Sequence, residues 1–503
     1  MALVLLFTAF LVLLLNSAWV SEDAYIILRT VANTVQGYGL RWNTAERVQT
    51  YTCPLWTLLL VGVCGVTREY YFTTVVLSAA LAITAVVLLM KFLGINRWAT
   101  VSCLGLMVSS KAFMDYTTSG LENALNYLLL VGFYIAYFRE ERISLRGWLV
   151  LGLLAALVAC NRMDVALLCV FPLLHYLGRL RVQEHVPIAR LLLIGAAAAA
   201  PFIAWLLFAL IYYGFPFPNT AYAKLHTGIP ARKLFYRGLL YGVDSLSRDP
   251  VTLTTVGIAA ATSLLRRNAK QVSVTLSLAL YLAYVAKIGG DFMSGRFFSL
   301  PFLTACVLLV QWPLRPWLRA VVMPAAVGLS LLGDHPPITY GPRFENKARP
   351  RYIADERGYY YQWTGFWPVI ANGGEPRGPW VDAGRKAQRE RLPVIVAESV
   401  GLLGYYAGPR VHIVDRLALC DPLLARMQVP DKDHWRVGHY ARRMPEGYLE
   451  TLESGTNVIE NPKLRELYEV LKTITRGPIW SGNRFREIVR INLGRYGHLM
   501  REA

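Results

Sequence analysis

The chain has 503 residues, 55% of them hydrophobic and only 17% charged, with a mean hydropathy of +0.37. That balance is too apolar for a soluble globular protein. The net charge is +19, but Lys and Arg are scattered through loops with no recognition motif, which argues against a nucleic-acid partner and for membrane orientation and contact with anionic headgroups or phosphates.

Apolar runs suited to membrane helices fall at 2–20, 54–67, 71–90, 98–110, 121–138, 147–160, 163–178, 191–213, 251–265, 271–288, 298–312 and 320–333. The basic loops 139–146, 179–190, 266–270 and 313–319 are expected on the cytoplasmic side. Residues 161–164, 214–250, 289–297 and everything after 333 then face outward. With the N-terminus inside, about eleven crossings satisfy this, so one segment between 54 and 110 is expected not to cross. The expected fold is a polytopic α-helical membrane domain, 1–333, followed by a soluble α/β domain, 334–503, on the outer face.

The first outer loop opens with "SEDAYI". Tyr25, Leu28, Val31, Ala32 and Val35 are spaced for a helix lying in the interface, its polar side carrying Arg29 and Asn33. Asp23 stands at the start of that helix, where a carboxylate caps unpaired N–H groups or serves as a general base, and Glu22 beside it reads as solvated. "MDYTTSGLENAL" carries Asp115 and Glu122 to the same side, where both suit helix capping. "NRMD" at 161–164 sets Arg162 and Asp164 in a turn between apolar runs, either a buried pair or a functional site. "PNTAYAKLH" supplies Lys224 and His226, a phosphate contact or a snorkelling anchor. "GGDFMSGRFF" brings Asp291 and Arg296 to a helix end among glycines that permit close backbone approach. Tyr25, Trp42 and Tyr222 are candidates for stacking on a sugar.

In the tail, "RLPVIVAESVGLLGYYAGPRVHIVDRLALCDP" predicts a strand over 393–397, a short helix or turn over 401–406 and a second strand over 411–414. Asp415, Arg416 and Asp421 follow it, where open α/β units often hold ligand groups. "DKDHWRVGHYARR" gathers His434, Trp435, His439, Arg442 and Arg443 as acceptor or phosphate contacts, with spacing that does not suit a metal. Residues 463–476 predict an amphipathic packing helix. Cys420 is alone in the tail and the other cysteines lie in or beside apolar runs, so no disulfide framework is expected.

Taken together, "SEDAYI", "GLRWN", "YTCPLW", "SGLE", "NRMD", "PNTAYAK", "GGDFMSGRFF" and "GYYAGPRVHIVDRLALCDPLLAR" resemble a bacterial branch of the GT-C glycosyltransferases that includes the terminal arabinofuranosyltransferase of mycobacterial cell walls and the type IV pilin arabinosyltransferase. The resemblance implies an inverting transferase in a bacterial cytoplasmic membrane, its site on the outer face. It implies a polyprenyl-phosphate sugar donor, with D-arabinofuranose as the sugar, and a glycan or glycoprotein acceptor. It also implies Asp23 as catalytic base with Glu22 in support. Lys224, Arg296, Arg162 and Arg29 are then expected around the donor phosphate, and Asp291, Asp164, Glu122, His226, Tyr25, Asp415 and His439 around substrate. No cofactor is required, although the family leaves room for a divalent metal. A lipid-linked sugar flippase or polysaccharide transporter is the competing class, and it would show an internal repeat and ionisable groups at mid-bilayer depth.

Overall fold

The structure is a computed structural model that describes residues 2–140, 142–225, 227–312, 316–339 and 353–500. His226 and parts of the expected loops 139–146 and 313–319 lie outside the described residues.

Each apolar run named above is largely helical. Tyr71–Phe92, Met163–Val182 and Ala269–Ile288 are long and apolar enough to cross a membrane, and Ile188–Ala198 with Ala200–Tyr212 makes a fourth if that bent pair is one span. Leu3–Ser17, Pro54–Thr67, Leu145–Asn161, Arg296–Leu309 and Val321–Leu331 are apolar but shorter. Local chemistry sets many of the ends. Asn96 accepts from the N–H of Trp98 and Ala99, Ser144 from Gly147, and Asn268 from Lys270 and Gln271. Pro54 and Pro250 occupy first-turn positions where no N–H is missed.

The chain divides into two compact units that do not follow a boundary at 333/334. Unit 1 is 1–21, 74–202 and 231–375; unit 2 is 22–73, 203–230 and 376–503. Unit 1 is a helical assembly around Phe10, Leu104, Phe113, Tyr134, Leu278 and Phe302, all fully or nearly fully buried. The stretch after 353 belongs to it: Ala354 donates to the Phe292 carbonyl and accepts from Ser294, and Val20 donates to Thr364. Gly290 needs to be glycine, because it has a φ of +73° and a Cβ there would meet the Tyr241 ring at 2.5 Å.

Unit 2 holds strands β1 (Val394–Ala397) and β2 (His412–Asp415), parallel, with Val394 opposite His412 and Ala397 opposite Asp415. Helix Gly401–Ala407 connects them. Its two cores centre on Leu467, Leu471 and Ile474 and on Trp42, Val411 and Ile413. The amphipathic helix of the tail is present as Pro462–Arg476, buried through Leu464, Leu467, Leu471 and Ile474. The helix expected to lie in the interface is also present, Glu22–Val35, but Arg29 and Asn33 on its polar side are as buried as Leu28 and Val31. The polar face is covered because Arg29 and Asn33 both donate to the carbonyl of Trp42.

Candidate functional site

In unit 2 the two adjacent carboxylates have different surroundings. Glu22 is buried, and its Oε1 accepts from the N–H of Gly401 at 2.6 Å and of Leu402 at 3.3 Å, the first turn of helix Gly401–Ala407. It is therefore a cap on a helix far along the chain, correcting the solvated reading. Asp23 remains partly exposed at the first turn of its own helix. The charges of both carboxylates reach Cys420, whose thiol is pushed up first by burial, then by Asp415, with smaller contributions from Glu22 and Asp23. Asp23 thus shares its surroundings with the motif that ends in "LALCDP".

Arg29 does not present itself to a phosphate. Its Nε donates to Trp42, its terminal nitrogens to Gly404, Val411 and Asn43, and its guanidinium lies 4.7 Å from the Trp42 ring centre. Burial lowers its pKa to about 9. The fork serves backbone carbonyls that a buried loop leaves unpaired. Asn43, in "GLRWN", completes the tie by accepting from the N–H of Ile413 and donating to its carbonyl.

Burial also corrects the expectations for Tyr25, Trp42 and Asp415. Tyr25 is 1% exposed and set edge-on to Tyr405 at 5.5 Å, and Trp42 is fully buried, so neither has a face for a sugar. Tyr222 and Phe215 flank the Arg426 guanidinium at 4.8 and 4.1 Å. Asp415 is fully buried and accepts from the N–H of Leu417 and Cys420, which makes it a turn former after β2; burial raises its pKa to about 6. Asp421 accepts from Leu423, Leu424 and the Tyr448 hydroxyl, and burial, with Glu46 next, raises it to about 7. His439 is half-buried and held down at about 3 by burial and then by Arg436. Lys224 is exposed in the last turn of Asn219–Leu225. An open cavity of about 710 Å³ lies nearby in sequence to the His434–Arg443 span, lined by Lys432, Arg443, Glu446, Glu460, Gln428 and Asn461 over an apolar floor that includes Pro430 and Met444.

In unit 1 the structure brings five predicted residues together. Glu122, 1% exposed, accepts from Arg162 at 2.8 Å and Arg296 at 3.2 Å; Asp164 holds the Nε of Arg162 at 2.8 Å, and Asp291 lies 3.6 Å from Arg296. Arg162 also sits 4.3 Å from the Phe297 ring centre. "SGLE", "NRMD" and "GGDFMSGR" are thus one network of buried ion pairs. The two cations face three carboxylates, so the network is not a ready-made phosphate cradle.

A second network was not read from the sequence. Lys111 pairs with Asp115 at 2.6 Å and Asp355 at 3.2 Å, and Arg357 lies 3.7 Å from Asp115. Lysine in an uncharged apolar stretch, with aspartate four residues on, is the signal that would have found it. Among the described residues no group of three or more His, Cys, Asp or Glu side chains is arranged to hold a metal ion.

No protein-family model matches the chain. Its sequence is 26% identical to the terminal beta-(1->2)-arabinofuranosyltransferase of Mycobacterium tuberculosis (strain H37Rv), covering 85% of this chain and 81% of that one. It is 25% identical to the protein of the same name from Corynebacterium glutamicum, over 69% of this chain and 56% of that one. Among solved structures, ArnT from Cupriavidus metallidurans, bound to undecaprenyl phosphate, superposes with a TM-score of 0.50 at 10% identity, covering 83% of this chain and 86% of ArnT. The archaeal oligosaccharyltransferase AglB from Archaeoglobus fulgidus aligns more loosely, with a TM-score of 0.42 at 11% identity over 82% and 65% of the two chains.

The chain shares the fold of ArnT, and the proteins it resembles in sequence are named as glycosyltransferases. Its sequence resemblance to the terminal arabinofuranosyltransferases, first visible in the ordered motifs, holds over most of its length.

Proposed function

We propose that this protein transfers a sugar, D-arabinofuranose, from polyprenyl phosphate to a cell-envelope glycan or glycoprotein, with inversion at the anomeric carbon. The observation that carries the proposal is the likeness to enzymes named as arabinofuranosyltransferases across 85% of the chain; the polyprenyl-phosphate complex of ArnT supports the donor class. The reaction is a single displacement. The acceptor hydroxyl oxygen attacks the anomeric carbon, its proton passes to the Asp23 carboxylate, and the bond from that carbon to the phosphate oxygen breaks, releasing polyprenyl phosphate.

The division of labour between Glu22 and Asp23 supports Asp23 as the base. A general base needs access to the proton it takes; Glu22 is buried and accepts from two backbone N–H groups, and Asp23 is partly exposed. The leaving phosphate gathers charge as its bond breaks and needs a cation there. Lys224, exposed and in the same unit as Asp23, is our choice. Within unit 1, Glu122, Asp164 and Asp291 hold Arg162 and Arg296 in ion pairs. The basic inner loops and an eleven-crossing topology would put these outer loops and the tail on the periplasmic side.

The test is transfer of labelled arabinose from synthetic polyprenyl-phosphoryl arabinofuranose to membrane-derived acceptors by the purified protein in lipid nanodiscs. Transfer is expected with this donor and not with a nucleotide sugar. Absence of transfer, together with uptake of the lipid-linked sugar across sealed vesicles, would replace the proposal with transport.

A further inference from the structure

Near the end of the chain, helix Gly482–Asn492 buries Arg484, Glu487, Ile488 and Ile491. Its other face is solvent-exposed at Arg486, Val489 and Arg490. Two large apolar side chains just outside the helix are exposed as well, Trp480 at 78% and Leu493 at 71%, with Val489 at 56% between them in sequence; the Trp480 ring lies 6.2 Å from that of Phe485 in the helix. Arg495 is exposed beside Leu493. Water is a poor neighbour for such a stripe, and neither the reaction nor the core of unit 2 uses it.

The place where this helix is held identifies its neighbour. Arg484 donates to the carbonyl of Tyr212 at 2.9 Å and to Ile474 at 2.7 Å, and Asn492 donates to Gly214 at 2.9 Å. Gly214 closes the contact, since a Cβ there would meet Ile474 at 2.2 Å and Ile488 at 3.3 Å. Tyr212 is the last residue of the apolar helix Ala200–Tyr212, so the terminal helix is fastened at the end of an apolar segment. A tryptophan and two aliphatic side chains among arginines, at that level, have the composition of an interfacial anchor.

We propose that Trp480, Val489 and Leu493 lie in the headgroup layer of the bilayer that the chain itself spans, with Arg486, Arg490 and Arg495 against anionic lipid phosphates. This surface is distinct from the transfer site and does not depend on which sugar is moved. Arg490 also meets Glu487 at 3.2 Å, so Arg486 and Arg495 carry most of the preference for anionic lipid.

All seven cysteines are buried, so a new surface thiol on the full chain can be labelled selectively. Val489→Cys and, as a control on an exposed stretch of helix Tyr448–Ser454, Glu453→Cys are each labelled with an environment-sensitive fluorophore. Both are reconstituted in nanodiscs of phosphatidylcholine alone or with phosphatidylglycerol. The proposal predicts blue-shifted emission at 489 and quenching by nitroxide-bearing lipid at least about twofold stronger than at 453. Reversing Arg486 and Arg495 to Glu is expected to reduce that quenching to about half in the anionic discs and to leave it unchanged in the neutral ones. Water-like emission with equal quenching at both positions would overturn the proposal. So would blue-shifted emission without lipid quenching, which would assign the stripe to a protein contact. Insensitivity to the Arg reversals would overturn the anionic preference.

Discussion

Arg162 in unit 1 and Arg29 in unit 2 are both buried guanidinium groups, 7% and 2% exposed, yet they are satisfied differently. Arg162 meets the carboxylates of Glu122 and Asp164; Arg29 meets the carbonyls of Trp42, Gly404 and Val411. Unit 1 is built of apolar helices whose backbone groups bond within each helix, so a charge among them needs an opposite charge. Unit 2 is rich in loops with carbonyls unpaired by regular structure, and arginine forks supply donors to them. Arg442, which donates to Met427, Tyr440 and Ala223, and Arg484 repeat the pattern. Buried arginine in this protein therefore has two distinct roles, and only the first gathers carboxylates near it.

The largest expected effect breaks a charge pair. Arg162→Met leaves Glu122 and Asp164 short of a cation and is expected to cost about 3–5 kcal/mol of stability, read as thermal unfolding in detergent. Adding Glu122→Gln should recover part of that loss; no recovery would show that packing against Phe297 dominates. Arg29→Met is expected to cost about 3 kcal/mol by leaving buried carbonyls unpaired. Arg29→Lys should restore less than half, because a single ammonium cannot span those carbonyls; full rescue would contradict the backbone-bonding role.

A smaller effect concerns pH in unit 2. The Asp421 carboxyl, raised to about 7, binds its proton more tightly in the folded chain than unfolded. Its contribution is complete below about pH 4 and declines as pH rises through 7, by about 2–3 kcal/mol between pH 5 and 8. His439, lowered to about 3, acts in the opposite sense, its contribution growing as pH rises from 3 through its unfolded pKa near 6.5. Melting of Asp421→Asn beside the parent from pH 5 to 8 isolates the first effect: the variant should lack that decline. The smallest effect is expected for Glu22→Gln, below about 1 kcal/mol, since an amide oxygen still accepts from Gly401 and Leu402.

The apolar runs were legible because each is a local property: 54–67 is the helix Pro54–Thr67, and the two tail strands fell within a residue of β1 and β2. The resemblance of ordered motifs was legible for the same reason. What sequence did not disclose is how side chains are spent. Glu22 and Arg29 are satisfied by groups more than 370 residues away, and nothing in "SEDAYIILR" announces Gly401 or Gly404. A long separation in sequence likewise hid the pairing of Lys111 with Asp355. The grouping of Glu122, Arg162 and Arg296 was anticipated as separate residues on one face, while their mutual neutralisation was not.

The central claim is that two adjacent carboxylates divide into a cap and a base. It is tested most directly by measuring transfer from polyprenyl-phosphoryl arabinofuranose with Asp23→Asn and Glu22→Gln side by side, each checked for folding. The account predicts a loss of about a hundredfold or more for Asp23→Asn and near-parental activity for Glu22→Gln. The reverse ranking, or full activity in Asp23→Asn, would contradict it.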